Sequence, residues 1–245
     1  MNTSERYSRK AALGAAFLFC FLGGPAAAAI DISPVLVELS ETRDKEVVRL
    51  TNSGDTAKSF EVSAVAWSQS EKEREIYADT DELLAVPPLF TIQPGQTQVV
   101  RIGLMRRADE NHELAYRVFF TELAPPELGE DTATGIKMRL RFGVPTFVAP
   151  LAEPSPAVDL VKLHSIDGHT FMELKNIGNV HVKVNEVRYL APLATEKAVT
   201  ETSFYLHAGV SGYLPIELPD ENAIGTVELV TDTAGVLEYE LAGPE

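Results

Sequence analysis

Short runs of β-branched and aromatic residues recur from Ile30 to the C-terminus, separated by clusters of Gly, Pro, Asn and Asp. In the run 59–67, apolar side chains at 60, 62, 64 and 66 alternate with Ser59, Glu61 and Ser63, a pattern typical of an antiparallel strand with one buried face. The run 110–123 also fits helical spacing, but its aromatic and β-branched centre favours a strand. Seven such runs in the first half predict an immunoglobulin-like β-sandwich.

A proline-rich segment at 149–157 separates this series of runs from a second one. Pro150, Pro154 and Pro156 punctuate the segment, and semi-extended segments of this kind commonly join domains. Beyond it, further strand-like runs extend to Leu241, and Asp167-Gly168 between two of them is typical of a tight hairpin turn. The sequence therefore predicts an all-β chain with two sandwich domains, 30–150 and 151–245.

The first 29 residues have the layout of a cleaved secretory signal peptide. A basic start precedes the unbroken small and apolar run Ala11–Leu22, and the small residues Ala26–Ala29 suit a signal peptidase. The run falls short of the roughly 20 residues that a membrane-spanning helix needs, so we expect no membrane insertion after cleavage. This layout predicts export through the Sec route.

The charge of the exported chain excludes several classes of partner. Cleavage after Ala29 removes three basic residues, one acidic residue and the only cysteine, which leaves 18 basic and 35 acidic residues and a formal net charge of -17. Nucleic acids and anionic lipid surfaces both require clustered Lys and Arg, so neither is expected as a partner. Without cysteine there is neither a disulfide nor a thiolate metal site.

No pattern in the sequence indicates catalysis or a bound cofactor. The histidines of the second half, at 164, 169, 181 and 207, lack the spacing of metal ligands, so no metal site is predicted. The chain carries neither a nucleophile elbow nor a phosphate-binding loop. We expect a protein that is not an enzyme and has no cofactor, with Trp67 packed in the first core rather than in a ligand cleft.

The segment 135–148 has an unusually regular alternation. Ile136, Met138, Leu140 and Phe142 fall on one face, whereas Lys137, Arg139 and Arg141 fall on the other. Composition alone favours an ordinary amphipathic strand with one buried face. The other interpretation is an edge strand whose apolar face is offered to a second protein by strand addition.

Several blocks of the first half resemble a known family in their order and spacing. The blocks are Ser33-Pro34-Val35, Asn52-Ser53-Gly54, Pro87-Pro88-Leu89-Phe90, Gln93-Pro94-Gly95-Gln96, Val99-Val100-Arg101-Ile102, Glu113 with Tyr116-Arg117, Phe120-Thr121-Glu122, Arg139-Leu140 and Val144–Pro150. Together they are similar to the periplasmic pilus-assembly chaperones of the PapD-like superfamily. The second half matches only in size, strand character and Gly178-Asn179.

This resemblance implies a fold, a function and partners. Such chaperones are two immunoglobulin-like domains set as a boomerang in the periplasm. They insert alternating side chains of the last first-domain strand into pilus subunits that lack a final strand, and they deliver the subunits to an outer-membrane usher. The positions that match the donor side chains are Ile136, Met138, Leu140 and Phe142. A secreted two-domain binding or adhesive protein that uses the same edge for another partner remains the alternative.

One departure from the family pattern concerns the basic residues that hold the C-terminal carboxylate of the subunit. The matching positions in this chain are Pro34 and Pro145, and the Arg expected before the linker proline is Ala149. The proline-containing segments instead resemble the archaic branch with spore-coat-type systems. Since an arginine side chain can bind a carboxylate through two hydrogen bonds, the candidate anchors are Arg101, Arg117 and Arg139. An ordinary surface or intramolecular ion pair is the alternative for each.

Overall fold

The computed structural model of the chain describes residues 30–71, 73, 75–124, 139–194, 196–218 and 223–241. Segment 1–29, predicted to be the signal peptide, lies outside these residues. Among the described residues there is no helix, and hence none that is long and apolar enough to span a membrane.

Ten described strands build the first sandwich domain. They are β1 (Ile30–Ser33), β2 (Val37–Leu39), β3 (Lys45–Asn52), β4 (Lys58–Ser68), β5 (Ile76–Asp79), β6 (Leu83–Val86), β7 (Leu89–Ile92), β8 (Thr97–Leu104), β9 (Leu114–Glu122) and β10 (Arg141–Val148). One sheet has the order β1-β3-β8-β6, and the other has the order β2-β10-β9-β4-β5, with β7 also paired to β4. The pairs are antiparallel except for β2 with β10, which are parallel.

The alternation of the sequence becomes the division between core and surface. Phe60 of β4 and Val118 and Phe120 of β9 are fully buried between the two sheets, whereas Glu61 faces solvent. Leu50 and Ile102 cover them from the other sheet and are equally buried. The prediction that the run 110–123 contains a strand is confirmed, because an extended β9 is the element that carries the buried face.

Seven described strands build the second sandwich domain. They are β11 (Val158–Ile166), β12 (His169–Asn176), β13 (Val182–Leu190), β14 (Ala198–Leu206), β15 (Ser211–Ile216), β16 (Gly225–Thr231) and β17 (Val236–Leu241). The sheets have the orders β11-β12-β15 and β14-β13-β16-β17. The core between them is separate from the first core and centres on Met172, Leu174, Val184 and Leu229.

The predicted hairpin turn is present between β11 and β12. Asp167 and Gly168 both have positive φ angles, 52° and 79°, and Ile166 pairs with His169 across the turn. Two positive φ values in a two-residue turn match the right-handed twist of the strands, which favours Asp-Gly there. The predicted all-β fold with two immunoglobulin-like domains is confirmed.

The link between the two cores is held against the loop after β12. The Asn179 side chain accepts a hydrogen bond from the Ser155 amide (2.7 Å) and donates one to the Glu153 carbonyl (3.1 Å). At Gly178, a Cβ atom would lie 2.1 Å from the Ser155 carbonyl oxygen and 2.8 Å from the Ala157 nitrogen, so only glycine fits. The division of the domains after Pro150 stays a prediction.

Candidate functional site

Strand β10 is covered along only part of one edge. On one side β9 pairs with all of β10, whereas on the other side β2 pairs only with residues 146–148. Within the described residues, positions 141–145 therefore have no partner strand on that side. An unpaired edge of this kind is a template for an added strand.

Two of the predicted donor residues lie at the open end of this strand. Leu140 and Phe142 are half-buried against the first core, on the same face as the fully buried Val144 and Val148. Burial thus decreases from the closed end of β10 toward its start, and apolar surface remains uncovered there. The other predicted donor residues, Ile136 and Met138, lie outside the described residues.

A buried carboxylate fixes the start of the strand. Glu122 at the end of β9 donates its backbone N–H to the Leu140 carbonyl (2.8 Å), and its Oε2 accepts the Leu140 N–H (3.2 Å). Its Oε1 accepts a hydrogen bond from Lys58 Nζ at 2.5 Å. The Glu122 side chain, 7% exposed, therefore replaces the second backbone bond of the ladder at Leu140.

The two domains meet through a cluster of aromatic rings. The Phe147 ring stacks on His181 of the second domain, with centroids 3.6 Å apart and planes 11° apart. The Trp67 ring of β4 meets His207 edge-on at 4.3 Å and Tyr205 at 5.4 Å. Such contacts stabilise the interface beyond the apolar area that they bury.

Two polar side chains of the first domain bridge to the second. Gln69 donates to the Tyr205 carbonyl (3.0 Å) and accepts the His207 backbone N–H (2.8 Å). Glu113 Oε2 accepts the His181 backbone N–H (2.8 Å) and hydrogen-bonds the Nδ1 of the same ring (2.7 Å). The Glu113 and His181 side chains are 10% and 4% exposed, so this bridge is buried.

Arg117 lies at this interface, on the outer face of β9. Its partner in the ladder is Pro145 of β10, so both residues point to the same side of the sheet. The guanidinium carbon lies 3.9 Å above the centre of the Trp67 ring. Its Nη1 donates to Glu75 Oε1 (2.6 Å) and to the Tyr77 hydroxyl (3.0 Å). The Nε atom is buried and has no hydrogen-bond partner within the described residues.

A glycine in β10 leaves room for this side chain. Gly143 is paired with Phe119, and a Cβ at position 143 would lie 2.9 Å from the Phe119 ring and 3.1 Å from Arg117 Cδ. Any larger residue would push against both. Gly143 therefore helps to keep Arg117 extended along the sheet toward the second domain.

Arg117 opens into a cleft between the domains. The cleft encloses about 220 Å³ and is lined by Trp67, Gln69, Glu75, Arg117, Ser203 and Tyr205. Burial raises the pKa of the Tyr77 and Tyr205 hydroxyls, which therefore stay protonated. A guanidinium that lines a cleft, as that of Arg117 does, can bind a carboxylate group that enters the cleft.

The other two candidate anchors lie elsewhere. Arg101 of β8 belongs to the opposite sheet, between Val47 and Val86, and is exposed. It borders a shallow groove of about 450 Å³ with exposed Leu84 and Met105. Arg139 is exposed just before β10. Of the three predicted arginines, the structure places only Arg117 in the interdomain cleft.

The prediction that Trp67 packs in the first core, away from a cleft, is wrong. Trp67 is buried, 4% exposed, but it packs at the domain interface and lines the cleft. Glu75, Tyr77 and Gln69 were not predicted as site residues. Since Arg117 Nη1 reaches Glu75 and Tyr77 across 42 and 40 positions of the chain, no short motif could have indicated them.

The sequence model of the family described as "Pili and flagellar-assembly chaperone, PapD N-terminal domain" matches residues 29–153, just over half of the chain. The chain belongs to this chaperone family. The match spans the first sandwich, including the open edge of β10 and Arg117. Curated protein sequences include no significant match to the chain.

Solved structures of the family have the same two-domain fold. One is the CsuC–CsuE chaperone–tip adhesion subunit pre-assembly complex from archaic Csu pili of Acinetobacter baumannii, with 16% identity, a TM-score of 0.66, and coverage of 89% of this chain and 100% of that chain. Another is the SafB chaperone with the SafA pilin of Salmonella enterica, with 14% identity, a TM-score of 0.60, and coverage of 86% and 96%. A third is the CupB2 chaperone of Pseudomonas aeruginosa, with 13% identity, a TM-score of 0.55, and coverage of 87% and 100%.

The family and the fold are those of non-enzymatic pilus-assembly chaperones. The match to an archaic Csu structure fits the archaic branch that the sequence predicted. Within the described part of the chain, no group of three or more His, Cys, Asp or Glu side chains is placed to hold a metal ion.

Proposed function

We propose that the chain is a periplasmic chaperone that caps pilus subunits by donor-strand complementation and delivers them to an outer-membrane usher. The observation that carries the proposal is the open edge of β10 at 141–145 beside the half-buried Leu140 and Phe142. Family membership supports the subunit as the partner. The layout of residues 1–29 supports export to the periplasm, and the usher follows from the resemblance to the family.

The capping step uses the backbone and the side chains of one strand. The free edge of β10 supplies hydrogen-bonding groups for the subunit, while the side chains at 136, 138, 140 and 142 fill its apolar groove. Covering each of these side chains contributes about 1.5–3 kcal/mol when it is complete, and less for Leu140 and Phe142, which are already half-buried. The subunit loses its exposed edge at the same time, which removes an aggregation template.

Arg117 is the proposed anchor for the C-terminal carboxylate of the subunit. Pro145 occupies the position where the family pattern expects a basic residue, and Arg117 is its direct partner on the neighbouring strand. The positive charge is therefore supplied at the same place on the sheet from β9 instead of β10. Burial of the Arg117 side chain, which is 14% exposed, strengthens an ion pair with an incoming carboxylate.

The test is co-expression of the chaperone with a pilus subunit encoded beside its own gene, followed by co-purification. Leu140→Asp places a charge in the subunit groove and should reduce subunit recovery at least about tenfold, as burying an unpaired charge costs several kcal/mol. Arg117→Ala should also reduce recovery, whereas Arg101→Ala should not. Val236→Asp, at a residue 55% exposed in the second domain, controls for added charge.

Circular dichroism and thermal unfolding establish that each variant is folded. Unchanged recovery with folded Leu140→Asp would exclude β10 as the donor strand. Loss of recovery with Arg101→Ala but not with Arg117→Ala would move the anchor to the opposite sheet.

A further inference from the structure

The Arg117 guanidinium is already paired with a carboxylate of its own chain. Glu75, just before β5, places Oε1 2.6 Å from Arg117 Nη1. The same Nη1 donates to Tyr77, and the Trp67 ring lies against the guanidinium face. Glu75 therefore occupies one hydrogen-bonding position that a foreign carboxylate would need.

The two partners of this pair differ in their exposure to the cleft. The Glu75 side chain is 55% exposed, whereas that of Arg117 is 14% exposed. Glu75 also lines the cleft itself, so a ligand that enters meets this side chain beside the cation. The carboxylate can swing into solvent, but the guanidinium is held by the ring beneath it.

We propose that Glu75 is a resident carboxylate, which occupies the Arg117 site in the free chaperone and is displaced by the C-terminal carboxylate of a subunit. This inference rests on the proposed anchor function of Arg117. Two carboxylates at one guanidinium repel each other, so the incoming group has to compete with Glu75. Because the Glu75 side chain is largely exposed, its ion pair with Arg117 is weak, so it lowers the affinity for an incoming carboxylate without preventing binding.

The consequence is selectivity for partners that bind at two places. A short peptide or a small carboxylic acid offers only its carboxylate and competes poorly with Glu75. A subunit also gains the contacts along β10, which offset the loss of the Glu75 ion pair. Glu75 thus favours binding of subunits, whose apolar groove also contacts β10, over binding of a carboxylate alone.

The single tryptophan of the chain gives a direct probe of the site. Trp67 lies against the guanidinium, so its fluorescence reports on changes around Arg117. We would titrate the mature protein with N-acetylglycinate, a mimic of a chain end, at constant ionic strength. N-acetylglycinamide, which lacks the carboxylate, is the uncharged control.

We expect Glu75→Gln to bind N-acetylglycinate about two- to fivefold more tightly than the wild type, the range set by an exposed ion pair. Glu73→Gln is the matched control, because it makes the same charge change at an exposed position of the same loop. It should bind like the wild type, and the amide should cause no response in any variant. Thermal unfolding verifies that the variants are folded.

Other outcomes separate this inference from the anchor proposal. If Glu75→Gln binds no more tightly than the wild type while Arg117→Gln abolishes the response, Arg117 is a carboxylate site but Glu75 does not compete for it. If Arg117→Gln responds like the wild type, the anchor assignment itself fails, and the inference about Glu75 fails with it. If both Glu75→Gln and Glu73→Gln bind more tightly, the gain is a general charge effect, which also refutes the competition.

Discussion

At the scale of single residues, the domain interface contains an imidazole, that of His207, whose burial keeps it neutral. His207 is 8% exposed and lies against Trp67. Burial, followed by the charges of His181 and Arg117, lowers its pKa from 6.5 to about 3. A proton on this ring would place a charge among aromatic side chains, so the folded protein keeps His207 neutral.

This setting predicts a pH-dependent loss of stability. The unfolded chain takes up the proton near pH 6.5 and the folded chain only near pH 3, so folding stability is complete above 6.5 and falls as the pH drops between these values. Between about pH 7 and about pH 5, the free energy of unfolding of the wild type, measured with urea, should fall by about 2 kcal/mol more than that of His207→Gln. His169→Gln, at an exposed position, should keep the wild-type dependence. Parallel curves for wild type and His207→Gln would contradict the prediction.

At the scale of elements, the start of β10 depends on a side chain of β9. Glu122 takes the Leu140 N–H that would otherwise bond to the neighbouring backbone, and Lys58 neutralises its charge. Leu140 is also the first of the predicted donor residues that lies within the described part of the chain. The ladder that holds the proposed donor strand therefore begins at the ion pair of Glu122 with Lys58.

Glu122→Ala should loosen the start of the strand. The change removes the partner of the Leu140 amide and of the Lys58 ammonium. A buried group left unsatisfied costs about 1–3 kcal/mol, and the half-buried Leu140 amide and the 24% exposed Lys58 side chain should cost less than this for each group. We expect lower stability and faster hydrogen exchange at Leu140 and Phe142, measured by mass spectrometry. Glu61→Ala on the exposed face of β4 is the control and should leave exchange unchanged. Equal protection in both variants would show that the backbone ladder alone holds the strand.

At the scale of the whole molecule, the arrangement of the two domains depends on a few close contacts. The link passes over Gly178 with no space for a side chain, and Glu113 holds His181 from the first domain. Together with Gln69, these contacts fix the walls of the cleft in which Arg117 lies.

Gly178→Ala should therefore disturb both stability and domain arrangement. The added Cβ would overlap backbone atoms, which cannot move aside as a side-chain end can, so we expect a loss of about 1–3 kcal/mol as in overpacked cores. Thermal unfolding measures the loss, and small-angle scattering measures the arrangement. Gly103→Ala, where the nearest atom is Lys45 Cγ at 3.7 Å, should behave as the wild type. A stable Gly178→Ala variant would mean that the link shifts freely.

The sequence was sufficient for features that depend on neighbouring residues. Alternation predicted β4 because burial in a sheet repeats every second residue, whereas the aromatic and β-branched centre of the run 110–123 predicted β9. Asp167-Gly168 predicted its hairpin through φ preferences. It could not separate Arg117 from Arg101, because both are outward residues of alternating strands and only the pairing of distant strands decides what each faces. The predicted location of Trp67 was wrong for a similar reason, since alternation shows that a ring is buried but not which domain buries it.

The short parallel strand β2 has a geometric consequence for any partner. It covers β10 from Thr146 onward, so a strand added along 141–145 must stop there. Pro145, the last open position, is the ladder partner of Arg117. The point where an added strand has to end therefore lies beside the cation that we propose as the anchor for a chain end, and this point sets the register in which a partner strand pairs with β10.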